Sequence, residues 1–86
     1  EQALEYITGD QLVIVDPPRA GLHPKVIATL LQHLPPRILY LSCNPVTQAR
    51  DVALLQQRYH IAWHRGYNFF PRTPHSEHLV VLDKIS

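Results

Sequence analysis

Apolar positions in this chain gather into short continuous runs and spaced stripes, divided by proline-rich breaks. Leu12-Val13-Ile14-Val15 is an unbroken, mostly β-branched run, which predicts a strand covered on both faces. It stops at Asp16-Pro17-Pro18-Arg19-Ala20-Gly21, where two prolines and a glycine forbid regular structure. Pro24 then suits the first turn of a helix, and Val26, Ile27, Leu30, Leu31 and Leu34 form its apolar stripe. Pro35-Pro36 ends it. The plan restarts with Ile38-Leu39-Tyr40-Leu41 and Ser42-Cys43. Asn44 is a good N-cap and Pro45 a good first helical residue. Val46, Ala49, Val52, Ala53, Leu55 and Tyr59 predict a helix running to about Tyr59.

Strand, helix, strand, helix with short links argues for a parallel sheet with right-handed crossovers. Residues 61–70 read as a third strand and Leu79-Val80-Val81-Leu82 as a fourth. No helix fits in the link between them, so these two strands are expected to be antiparallel neighbours. No internal repeat, low-complexity segment or linker interrupts this order.

Composition narrows the class. The chain has 86 residues, is 45% apolar and carries a net charge of +1, which reads as one small α/β unit without a densely basic stretch. Charge therefore neither implies nor excludes a nucleic-acid partner. A single cysteine rules out an internal disulfide and fits a reducing, cytoplasmic compartment. No apolar run approaches a membrane span, and no signal-peptide pattern is visible. There is no methionine, so residues 1–86 are expected to be a piece of a longer polypeptide.

The topology brings chemistry to one place. Asp16 and Cys43 each follow a parallel strand and so lie at the carboxyl edge of the sheet, where open α/β folds bind ligands. Glu77 precedes a strand of opposite direction, which starts on that same edge. Taken singly, Asp16 reads as a turn cap, Glu77 as a solvated carboxylate and Cys43 as a small buried hydrophobe. Together, an acid, a thiol and a second acid form a recognised arrangement for covalent chemistry. A thiol between a strand and a helix N-terminus is also favourably placed to ionise.

Three segments resemble motifs of one family. They are Asp16-Pro17-Pro18-Arg19-Ala20-Gly21; Ser42-Cys43-Asn44-Pro45 with Thr47, Ala49, Arg50 and Asp51; and Phe70-Pro71-Arg72-Thr73-Pro74-His75-Ser76-Glu77. In this order they resemble the last three motifs of the RNA uracil-5-methyltransferases, over nearly the whole chain. Asn68, Pro74 and Ser76 depart from the usual pattern without touching the central residues. The resemblance implies the C-terminal half of a Rossmann-like class I methyltransferase fold, with parallel strands and a final antiparallel one. It implies S-adenosyl-L-methionine as methyl donor and rRNA or tRNA as partner. By the same resemblance Cys43 is the nucleophile that adds to uracil C6 and Glu77 the general base. Asp16 lies at the cofactor and target-base pocket, and Arg19, Asn44 and His75 join it in substrate binding. No glycine-rich cofactor loop is visible in the chain, so the cofactor half and any RNA-binding or iron–sulfur portion are expected upstream of Glu1.

Other residues offer less. His60 and His64 have a helical ligand spacing in a region that reads as a strand, and no recognised metal-site spacing occurs, so no metal is expected. Trp63 and Tyr67 share a strand face, where packing is the simpler role. Tyr67, Phe69 and Phe70 are equally suited to burial or to stacking on a base. Arg19 and Arg72 are suited to phosphate or to solvent. Two alternatives stand beside the main reading: an amino-methyltransferase of adenine or cytosine, and a catalytically silent RNA-binding fragment. With no strand beside it, Leu12-Val13-Ile14-Val15 is expected to be an exposed apolar edge that promotes self-association.

Overall fold

The computed structural model describes residues 4–7, 12–67 and 77–85. Its elements are β1 (Leu4–Ile7), β2 (Leu12–Val15), α1 (Pro24–His33), β3 (Arg37–Ser42), α2 (Pro45–Leu55), β4 (Tyr59–Tyr67) and β5 (Glu77–Lys84). They form one five-stranded sheet in the order β1-β2-β3-β5-β4. β2 and β3 are parallel neighbours, joined through α1. β5 is antiparallel to both β3 and β4, so β2, β3 and β4 share one direction and β5 opposes them. This is the expected arrangement of parallel strands with a final antiparallel one.

α1 begins as its sequence predicts, with Pro24 at its first position and the His23 ring accepting from the Lys25 N–H. It ends one residue early, because Leu34 adopts φ 52° and returns its N–H to the Leu30 carbonyl. Asn44 caps α2 and Pro45 opens it, also as predicted.

Three expectations need correction. Leu12-Val13-Ile14-Val15 is not an edge: β1 pairs with it antiparallel and satisfies its outer backbone groups. Self-association through an unpaired β2 edge loses its basis. α2 stops at Leu55 rather than near Tyr59, since residues 56–58 turn and Tyr59 opens β4. There Tyr59 is 1% exposed and its hydroxyl donates to the Pro35 carbonyl, a burial that continued helix would forfeit. The apolar stripe assigned to α2 is also displaced. Val46 is 76% exposed and Ala49 and Ala53 are exposed, while Gln48, Asp51, Val52 and Leu55 face inward. The buried positions keep helical spacing, but two of them are polar.

β4 starts at Tyr59 rather than residue 61, and β5 extends two residues beyond the predicted run at each end. Asn68, Phe69, Phe70, Arg72 and His75 lie outside the described residues.

The core lies between the sheet and the helices. Val13, Val15, Ile38, Tyr40, Val80 and Leu82 point from the sheet towards Ile27 and Leu30 of α1 and Val52 and Leu55 of α2. Alternation sends Ile14, Leu39, Leu41, Leu79 and Val81 to the opposite face, where no described helix lies and Ile14 is 43% exposed. At the far end of β3 from the site, Arg37 holds Asp83 of β5 in two hydrogen bonds of 2.7 and 3.0 Å. That contact keeps the Asp83 carboxyl below its ordinary range.

Candidate active site at the carboxyl edge of the sheet

β3 and β5 deliver the two central residues. Their pairing ends at Ser42 opposite His78, so Cys43 and Glu77 are the next residues on either side. Cys43 is half-buried, and an Arg19 guanidinium nitrogen donates to its sulfur at 3.8 Å. Glu77 is half-buried and is the first residue of β5, inside the strand it was expected to precede. Asp16 is exposed and follows β2, on the same edge. All three thus lie at the carboxyl edge of the sheet, as the topology predicts.

The turn after β2 is locked onto α2. Gly21 donates to the Pro18 carbonyl at 2.8 Å and adopts φ +88°, a conformation that favours glycine. A Cβ on Gly21 would come within 2.8 Å of an Asp51 oxygen. The Arg19 carbonyl accepts from the Asn44 side-chain amide at 2.8 Å and the Thr47 hydroxyl at 2.9 Å. Arg50 donates to the Ala20 carbonyl. Asp51 is 1% exposed and accepts from the Leu22 N–H at 2.7 Å, the Tyr40 hydroxyl at 2.6 Å and the Arg50 guanidinium. The loop carrying Asp16 and Arg19 is thus tied to the helix that follows Cys43.

Asn44 uses both ends of its amide within the chain, accepting from the Val46 N–H and donating to Arg19. Its visible action is to cap α2 and hold the neighbouring turn. Thr47, Gln48, Arg50 and Asp51 form a polar framework that an apolar stripe does not reveal. Their spacing along one helix is the signal that was available.

A groove of about 450 Å³ opens beside the edge, lined by Ser42, Pro45, His64, Arg65, Gly66, Glu77 and His78. His64 Nδ1 and His78 Nε2 are 3.2 Å apart, with the rings edge to face. This cross-strand pair depends on the β4–β5 register and has no signature in sequence spacing.

Burial, assisted by the Asp51 hydrogen bond, raises the Tyr40 phenol far above its ordinary range. Burial also pushes Tyr59 up to about 12. Unfolded phenols titrate near pH 10. The stabilisation from these neutral phenols is therefore complete below about pH 10 and is lost as pH rises through the folded values. Tyr40→Phe is expected to cost about 1 kcal/mol at pH 7 and to flatten the alkaline decline. Denaturant titrations at pH 7 to 11 measure both effects; parallel pH curves for the variant and the parent would reject the assignment.

Comparison with known proteins places these features in a family. Residues 5–85 match the family model described as tRNA (Uracil-5-)-methyltransferase. An uncharacterized RNA methyltransferase of Nitratidesulfovibrio vulgaris is 56% identical over 71 residues, covering 83% of this chain and 15% of that protein. The tRNA (uracil(54)-C(5))-methyltransferase of Pyrococcus abyssi is 49% identical over 76 residues, covering 88% of this chain and 18% of the relative. The crystal structure of that Pyrococcus enzyme in complex with S-adenosyl-L-homocysteine superposes with a TM-score of 0.77. It shares 49% identity and covers 84% of this chain and 18% of its own. The chain belongs to the tRNA (uracil-5-)-methyltransferase family. It spans less than a fifth of the length of these relatives.

Proposed function

We propose that the protein containing these residues methylates C5 of a uridine in tRNA or rRNA, with Cys43 as nucleophile and Glu77 as general base. The observation that carries this reading is the β3–β5 register, which puts the thiol and the carboxylate on adjacent strand ends within the family's segment. Uracil C5 is a weak nucleophile. Addition of the Cys43 thiolate to C6 moves the C5–C6 electron pair towards C5 and the C4 carbonyl oxygen, leaving an enolate. Arg19 donates to the sulfur at 3.8 Å, which places its guanidinium beside the attacking atom.

S-adenosylmethionine, when bound, supplies the methyl group as an electrophile to C5. An exposed carboxylate after β2 fits a ligand rich in hydroxyl and amino donors, so Asp16 is assigned to the cofactor and target-base pocket. Glu77 then takes the C5 proton. The electrons of that C–H bond restore C5=C6 and expel the Cys43 thiolate, so the enzyme is regenerated. The target base must be unpaired or flipped, because C5 and C6 are hard to reach within a stack. Arg19 and His75 complete the proposed substrate contacts, and Asn44 supports them by fixing the Arg19 backbone.

RNA carrying 5-fluorouridine tests the reading, since fluorine at C5 cannot leave as a proton. The full-length enzyme with S-adenosylmethionine is expected to form a stable protein–RNA adduct, and peptide mapping should place it on Cys43. An adduct on another residue, or methylation of an exocyclic amine without any thiol dependence, overturns the assignment.

A further inference from the structure

Gln48 is 3% exposed in the second turn of α2 and lies over the junction between β3 and β5. Its side-chain nitrogen donates to the Tyr40 carbonyl at 3.2 Å and to the His78 carbonyl at 2.8 Å. Tyr40 lies on the strand that ends just before the nucleophile, and His78 follows the general base. One buried amide therefore ties together the strand leading to Cys43 and the strand beginning at Glu77. The β3–β5 pairing ends at Ser42 and His78 while β4 continues to Tyr67 opposite Glu77, so this tie sits where β5 parts from β3.

The two residues depend on it unequally. Cys43 has other supports: Ser42 Oγ accepts from the Asn44 N–H, Asn44 caps α2, and Arg19 reaches the sulfur. Glu77 opens β5 beyond the last β3 pair, with Tyr67 of β4 as its ladder partner, and the adjacent His78 carbonyl is its link to α2. Loss of the Gln48 amide should displace Glu77 more than Cys43.

We propose that Gln48 is a positioning residue that holds Glu77 over the C5 proton, governing resolution of the covalent adduct rather than its formation. This rests on the cysteine–uracil mechanism proposed above. Small misplacements matter at such a step, because proton transfer requires the base within hydrogen-bond reach.

Gln48→Met, of similar length but without a donor, tests this in the full-length enzyme with its RNA and S-adenosylmethionine. Quenched-flow sampling on denaturing gels reads adduct formation and breakdown separately. Formation should stay within about threefold of the parent, while breakdown slows roughly 10–100-fold. Adduct should accumulate as in Glu77→Gln, with KM for RNA unchanged. A structural role alone would lower both rates together through the folded fraction, and that result, or normal breakdown, overturns the proposal. If Gln48→Met does not fold, Gln48→Asn, one methylene short, reads the same partition. A parent enzyme that makes neither 5-methyluridine nor adduct removes the mechanism and this inference with it. A competent parent with unaltered partition in the variants removes this inference alone.

Discussion

Cys43→Ala in the full-length enzyme is expected to lose 5-methyluridine formation by on the order of 10⁴-fold or more, with RNA binding little changed. The size follows from the chemistry. Without addition at C6, C5 has no electron pair to offer, and positioning alone cannot replace the missing covalent step. Binding should survive because one thiol is a small contact and Cys43 lies outside the buried core cluster. The Arg19 contact at 3.8 Å is the interaction lost. Cys43→Ser provides a graded control, since a hydroxyl keeps the shape but is far harder to ionise. Nucleoside analysis of digested RNA and filter binding give the two readouts. Turnover within tenfold of the parent would exclude Cys43 as nucleophile.

Asp51→Ala should be the most damaging substitution for folding. Its buried carboxylate is a shared acceptor for the Leu22 N–H, the Tyr40 hydroxyl and the Arg50 guanidinium. Truncation strands buried donors and opens a void, for a loss of about 3–5 kcal/mol. Set against a typical domain stability of about 5–15 kcal/mol, that is a large share. Asp51→Asn, which keeps the shape and one acceptor, should cost about half as much. Denaturant unfolding of both variants measures the difference; a loss below about 1 kcal/mol for alanine would show that the turn is held by other means. The turn after β2 should loosen in step, since Leu22 is fastened to α2 through this carboxylate.

The two strand–helix units and the reversed last strand were legible because continuous apolar runs, proline breaks and an Asn-Pro helix start are local signals. From them followed the shared edge of Asp16, Cys43 and Glu77. The inward face of α2 was not legible. Hydropathy favoured Val46, Ala49 and Ala53, whereas hydrogen bonding made Gln48 and Asp51 the buried residues. Tyr59 misled for a related reason: its spacing from Leu55 suits a helix, but its hydroxyl found Pro35 from a strand. β1 went unseen because Glu5 interrupts Leu4-Glu5-Tyr6-Ile7, which lacks the continuous apolar run that marks β2, and only pairing with β2 defines it. The His64–His78 contact likewise exists only through register.

The position of β5 also fixes an order of assembly. It follows β4 in sequence yet lies between β3 and β4, so β4 has no place in the sheet until β5 arrives. The Arg37–Asp83 clasp spans 46 residues of chain, and contacts this distant are entropically costly to close and form late. On the ribosome, the thiol is synthesised and its strand can pair with β2 well before the opposing carboxylate emerges. Cys43 and Glu77 therefore meet only once β5 has docked, and the site proposed around them belongs to the closed sheet rather than to its intermediates.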